Sequence, residues 1–102
     1  MATQTVLAED MARQRLRKEG GAWLRSRREA AGLSQRELAE RVEVGYYTFV
    51  SQIEAGRGRI PAERYSIWAN ALDMNARDFV RNIMSYYEPS TYEILFGETG
   101  QP

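Results

Sequence analysis

Residues 34–56 read SQRELAERVEVGYYTFVSQIEAG, and this stretch decides how the chain folds. Ser34 followed by Glu37 has the S-x-x-E form of a capping box. In that motif the serine hydroxyl accepts from the backbone N–H of the glutamate, and the glutamate carboxylate accepts from the backbone N–H of the serine. A helix is therefore predicted to begin at Ser34. Apolar residues then recur at helical spacing, which predicts a buried side formed by Leu38, Ala39 and Val42.

A second helix is predicted to follow the first after a short turn. Residues 43–45 interrupt the first helix, and the second runs over 46–55. Two helices joined by a short turn that contains a glycine form a helix-turn-helix. The residues predicted to be buried in the second helix are Phe49, Val50 and Ile53. Its remaining positions carry uncharged hydrogen-bonding groups, on Tyr46, Tyr47, Thr48, Ser51 and Gln52.

The outward face of the second helix is suited to the bases of DNA. A face kept only for solubility more often carries charges, whereas neutral donors and acceptors match base edges without the strong hydration of an ammonium group. Groups suited to phosphate surround this face, at the start of the first helix and in the loop after the second. They are Gln35, Arg36, Arg57 and Arg59. The alternatives are that Tyr46 and Tyr47 pack on the preceding helix and that Gln52 is an idle surface residue.

Four further stretches show helical spacing of apolar residues. They are 6–19, 22–31, 62–72 and 75–86. The paired glycines at 20 and 21 are predicted to separate the first two helices. Gly32 is suited to end the second, because glycine enters the left-handed region of backbone conformation at little cost. Pro89 is predicted to stop the helical run before a final apolar stretch.

These stretches define the predicted core and the predicted fold class. The inward residues are expected to be Trp23, Leu24, Ala30, Tyr65, Trp68, Ala69, Leu72, Phe79 and Ile83. The residues of 22–31 expected to face outward are Arg25, Arg28 and Glu29. We predict an all-α fold, with a compact five-helix domain over 20–88, an N-terminal helical extension over 1–19 and a short C-terminal tail over 89–102.

The composition argues against catalysis. The 102-residue chain contains no cysteine and no histidine, which removes disulfides, thiolate metal sites and the commonest general base. We therefore expect no enzyme activity, no cofactor and no metal. No apolar stretch approaches the roughly 18 residues of a membrane span. The first ten residues do not resemble a secretory signal, so the cytoplasm is the expected compartment.

A net charge of zero hides an uneven distribution of charge. Residues 11–41 carry nine basic and four acidic residues, and residues 71–102 carry two basic and five acidic residues. This pattern fits a protein that presents one face to an anionic partner. The arginine-rich run over 13–18 is either a DNA-contacting arm or a soluble helix face, and we slightly favour the second interpretation.

The motif resembles that of a known family. SQ-x-x-LA at residues 34–39 and VSQIE-x-G at residues 50–56 are similar to the Cro/phage-repressor helix-turn-helix family, often called XRE-like. The resemblance covers about residues 23–79 and implies a phage-repressor-like domain that places its second motif helix in the major groove. Between Leu38 and Ile53 the sequence holds one residue more than the usual family spacing. The turn is therefore expected to be longer or the second helix to start later, which leaves open whether Tyr46 or Tyr47 faces the bases.

The resemblance also implies a role for each matching residue. Those implied to read bases are Tyr47, Thr48, Ser51 and Gln52. Those implied to contact phosphate are Gln35, Arg36, Tyr46, Arg57 and Arg59. Gln35 is further expected to brace the second helix, and Glu54 is expected to be structural, either satisfying backbone N–H groups or pairing with an arginine.

The function expected from these features is sequence-specific transcriptional regulation, by a repressor that binds double-stranded DNA. Members of the family bind pseudo-palindromic operators as symmetric dimers. A homodimer is also predicted by an apolar tail that exceeds what a small domain can bury, formed by Tyr86, Tyr87, Tyr92, Ile94, Leu95 and Phe96. The alternative is an antitoxin or phage-defence accessory protein whose tail binds a protein partner and is disordered alone.

Overall fold

The computed structural model describes residues 2–97, with side chains from Val6 onward, and every regular element in that range is helical. The helices are α1 (Ala2–Ala30), α2 (Gln35–Arg41), α3 (Tyr47–Glu54), α4 (Tyr65–Ala71), α5 (Ala76–Tyr87) and α6 (Pro89–Phe96), with a 3₁₀ turn at Ala62–Arg64 before α4. The prediction of an all-α fold is confirmed, and residues 2–97 contain six α-helices, a count that includes the predicted extension and tail. Met1 and residues 98–102 of the predicted extensions lie outside the described residues.

α1 is one continuous helix of 29 residues, so the predicted break at the paired glycines is wrong. Both glycines lie at close approaches. A Cβ on Gly20 would lie 2.8 Å from Cβ of Tyr86, and a Cβ on Gly21 would meet the carbonyl oxygen of Glu54 and, at 2.7 Å, that of Ile53. The glycines therefore let α1 pack directly on α5 and on the end of α3. Tertiary packing offsets their low helix propensity of about 1 kcal/mol each.

The predicted helix ends around α2 are confirmed. Gly32 adopts a left-handed conformation with φ of 74°. The Ser34 hydroxyl accepts from the Glu37 N–H at 3.0 Å, while a Glu37 carboxylate oxygen accepts from the Ser34 N–H at 2.8 Å. This bonding lowers the pKa of Glu37, first through the Ser34 backbone N–H and then through the Ser34 side chain. These contacts settle where the first motif helix begins.

The core lies where α1, α2, α3, α4 and α5 meet. Its largest fully buried side chains are Trp68 and Phe79. Most predicted core residues are buried, Trp23 and Tyr65 are partly buried against the core, and Ala30 and Phe49 are exposed, contrary to prediction. Four core residues of the described chain were not predicted: Leu33, Ile60, Ala71 and Tyr87.

The N-terminal part of α1 and the whole of α6 expose apolar side chains. Val6, Leu7 and Met11 on α1 are exposed, although their spacing is helical. Pro89 does not end the helical structure, because it occupies the start of α6, where its missing N–H and restricted φ are tolerated. α6 packs on α5, with the Arg81 guanidinium 4.9 Å from the centre of the Phe96 ring. Within residues 2–97 no helix is both long enough and apolar enough to span a bilayer.

Candidate nucleic-acid interface

α2 and α3 pack on each other across a turn formed by residues 42–46. The left-handed position of this turn is taken by Glu43, with φ of 62°, and not by the glycine at 45. The carbonyl oxygen of Val42, at the end of α2, accepts from the guanidinium of Arg64. Tyr46 has an extended backbone and is the N-cap of α3. α2 therefore ends at Arg41 and α3 begins at Tyr47, one residue later than the sequence predicted.

α3 has a buried side and an exposed side. Val50 and Ile53 are fully buried, whereas Thr48 and Gln52 are exposed and Ser51 is half-buried. Phe49 lies on the flank of the exposed side with 37% of its surface accessible. The uncharged face predicted from the sequence is therefore presented to solvent, with an aromatic ring beside it. Helical spacing predicted that Phe49 is buried. It is exposed because it lies at the border of the apolar stripe.

The two tyrosines at the start of α3 have different surroundings. Tyr46 is 75% exposed. Tyr47 is less exposed, and the guanidinium of Arg36 on α2 lies 4.4 Å from the centre of its ring. Both tyrosines, together with Arg36, Glu40 and Thr48, line a groove of about 380 Å³ between the two motif helices. Arg36 therefore supplies positive charge at the edge of this groove and holds Tyr47 by a cation–π contact.

A buried network holds the C-terminal end of α3. Arg28 of α1 donates from Nε to Oε2 of Glu54 at 2.6 Å and from Nη2 to Oε1 at 3.1 Å, and its Nη1 donates to the Leu33 carbonyl oxygen at 2.8 Å. Gln35 donates from Nε2 to Oε1 of Glu54 at 3.0 Å. The predicted pairing of Glu54 with an arginine is confirmed. The network joins three helices at one carboxylate.

The outward position predicted for Arg28 is wrong, because its side chain is buried against Glu54. A carboxylate at the C-terminus of a helix is disfavoured by the helix dipole, and a buried one needs a paired cation. Arg28 meets both needs. The hydrogen bond to Glu54 raises the pKa of Arg28, and this effect outweighs the lowering by burial.

The two arginines of the loop after α3 differ in exposure and in their partners. Gly56 takes a left-handed conformation with φ of 81°, and Arg57 beside it is exposed. Arg59 is half-buried: it pairs with Glu88 at 3.1 Å and lies 4.7 Å from the centre of the Tyr87 ring. Burial lowers the pKa of Arg59, but hydrogen bonds to Tyr65 and Glu88 outweigh that effect and raise it. The sequence predicted equal roles for these arginines.

Tyr87 organises this loop and was missed by sequence reasoning as a core residue. Its hydroxyl accepts from the Ile60 N–H at 3.2 Å, and the guanidinium of Arg17 lies 5.4 Å from its ring centre. The sequence does indicate that Tyr87 is buried, since it continues the apolar stripe of Phe79 and Ile83 at intervals of four residues. Within residues 6–97, no cluster of three or more acidic side chains is placed to bind a metal.

A scan against family models finds one described as "Helix-turn-helix domain", which matches residues 21–87. The match extends beyond the resemblance over 23–79 at both ends. It leaves out residues 2–20 of α1 and all of α6. A search of curated proteins finds no match. With most of the chain matched and its motif helices in place, the chain belongs to this helix-turn-helix family of XRE-like DNA-binding domains.

Proposed function

We propose that the chain is a sequence-specific transcriptional repressor of the cytoplasm, without catalytic activity, that reads the major groove with α3. The observation that carries the proposal is the uncharged, exposed face of α3 on a helix whose other side is fully buried. Such a helix is held rigidly while its donors and acceptors stay free. This is what hydrogen bonding to base edges requires.

Within this proposal, the base-reading residues are Tyr47, Thr48, Ser51 and Gln52. Gln52 is exposed one turn after Thr48 on the same face, and its amide can bond to adenine by two hydrogen bonds. Phe49 adds an apolar ring suited to the methyl group of thymine. The residues that contact phosphate are Gln35, Arg36, Tyr46, Arg57 and Arg59. Because Gln35 already donates its side-chain amide to Glu54, its backbone N–H at the start of α2 is the group available to phosphate.

The proposed reader is tested by selecting bound DNA from a random pool at a stated salt concentration, since non-specific affinity falls steeply as salt rises. We expect one enriched motif. Gln52→Ala should cost about 1–3 kcal/mol of binding free energy and relax the preference at one base pair. Asn70→Ala, which removes an exposed amide from α4, should leave both unchanged. The absence of an enriched motif, or equal behaviour of the two variants, would contradict the proposal.

We further propose that the repressor is a homodimer that binds a pseudo-palindromic operator. Ile94 and Leu95 of α6 are 79% and 59% exposed. Leu95 lines a largely apolar groove of about 380 Å³ between α5 and α6, together with Val80, Met84 and Phe96 and with Arg77 and Arg81. Apolar surface of this kind favours a protein partner. α6 is helical in the single chain, which supports a dimerising tail over the disordered tail expected of a toxin-binding protein.

Light scattering on the full-length chain tests the dimer. Leu95→Lys places a cation in the apolar patch beside Arg77 and Arg81 and should convert the dimer to a monomer, since burying an unpaired charge is strongly unfavourable. Ser66→Lys makes the same charge change at an exposed position of α4 and should leave the dimer intact. A wild-type chain with the mass of a monomer would remove the proposal of a dimer but not that of DNA binding.

A further inference from the structure

α1 brings two exposed cations to the loop that follows α3, the proposed recognition helix. A Cβ on Gly56 would lie 2.8 Å from Cα and 2.9 Å from Cγ of Lys18, so the stem of the lysine packs on the first residue of the loop. The next residue of the loop is Arg57, and both Lys18 and Arg57 are exposed. Arg15 is exposed one turn earlier on α1, about 4.5 Å away along the helix axis.

Within residues 6–97, neither Arg15 nor Lys18 forms an ion pair with a carboxylate. Elsewhere on the same helix, Arg13 pairs with Asp10 and Arg17 lies over the ring of Tyr87. Glu19 is the acid nearest in sequence, and no ion pair joins it to either cation. Two neighbouring unneutralised cations repel each other, and an anion between them relieves that repulsion.

The position of these cations is set by the domain. α1 runs without a break through the glycines that seat it on α3 and α5. The backbone of residues 15 and 18 therefore needs no ordering when they bind, which lowers the entropic cost of a contact. Both residues lie before the part of the chain matched by the family model, so this contact would be an addition of this chain to its domain.

We propose that Arg15, Lys18 and Arg57 form one phosphate-binding surface, which extends the DNA interface from the recognition helix along the sugar–phosphate backbone of the same duplex. This inference rests on the proposed function. It replaces our interpretation of residues 13–18 as a soluble helix face. Arg13 and Arg17 are held by Asp10 and Tyr87, whereas Arg15 and Lys18 lie near the loop without such partners.

The test measures how affinity for the selected operator depends on salt. Arg15→Gln with Lys18→Gln in the full chain should lower the slope of log K against log salt by about two units, because each lost phosphate contact removes about one. The loss should be the same for operator and random DNA. Arg13→Gln with Arg17→Gln removes the same charge from the same helix and should change the slope by less than one unit. Circular dichroism and Tm should be alike for the wild type and the Arg15/Lys18 variant.

Four outcomes would overturn the proposal. An unchanged slope in the Arg15/Lys18 variant, with wild-type operator binding intact, would remove this surface and leave the reader. An equal loss in the Arg13/Arg17 variant would show a general effect of net charge. Loss of binding to phosphatidylserine vesicles, with the DNA slope unchanged, would assign the cations to a membrane. A wild-type chain that binds no DNA would remove the proposed function as well.

Discussion

An arginine and a glutamate join distant elements at two places, the end of α3 and the junction of α5 with α6. At the first, the side chains of Arg28 and Glu54 are 9% and 4% exposed and are also bonded to Leu33 and Gln35. At the second, the side chains of Arg59 and Glu88 are 36% and 48% exposed. The buried Arg28–Glu54 pair therefore stabilises the fold, whereas the exposed Arg59–Glu88 pair contributes little. Water can replace a lost partner only at the exposed pair.

The largest expected effect comes from breaking the buried pair. Glu54→Ala leaves Arg28 buried without its carboxylate and should lower the free energy of unfolding by about 3–5 kcal/mol. Urea denaturation measures this. Glu29→Ala, which removes a carboxylate from an exposed pair with Arg25, should cost no more than about 1 kcal/mol. Replacing both partners, with Arg28→Met and Glu54→Leu, should recover most of the loss; a double variant as unstable as Glu54→Ala would show that the charges themselves are needed.

A smaller effect is expected where α1 meets the same end of α3. Gly21→Ala places a Cβ against two backbone carbonyl oxygens and should cost about 1–3 kcal/mol through overpacking, although alanine is the better helix former. Gly45→Ala is the control, because a Cβ there meets nothing within 4 Å. It should be neutral or stabilise by up to about 1 kcal/mol. Thermal unfolding of both variants compares them, and a stabilised Gly21→Ala would contradict the close approach.

The smallest effect is expected at the exposed pair. Glu88→Gln should change the free energy of unfolding by about 0–1 kcal/mol, and less at high salt, where exposed charges are screened. It also frees Arg59 for phosphate, so DNA affinity should rise. Titration of the operator at two salt concentrations measures this. A destabilisation as large as that of Glu54→Ala would mean that burial does not distinguish the two pairs.

Much of the fold followed from local patterns. The capping box at Ser34 and Glu37, the left-handed Gly32 and the apolar stripes of α4 and α5 each depend on residues a few positions apart. Contacts of that range are largely independent of the rest of the chain. The exposed face of α3 followed for the same reason, although Phe49 at its edge did not.

The contacts that position the site could not be predicted in this way. Arg28 and Glu54 are 26 residues apart, and Arg59 and Glu88 are 29 residues apart. Helical spacing does not specify which distant carboxylate meets which arginine. The paired glycines of α1 were misinterpreted as a break for a related reason, since their role is visible only from the carbonyl oxygens that approach them.

The sequence by itself determined the all-α class, the two motif helices and the uncharged face that α3 presents, because helix caps and apolar periodicity act within one or two turns. The tertiary structure alone decided that Arg28 turns inward, that α1 continues through Gly20 and Gly21, and that Arg57 is exposed while Arg59 is paired. These outcomes depend on which elements pack together. Burial then sets the strength of each charge interaction through the loss of water around it.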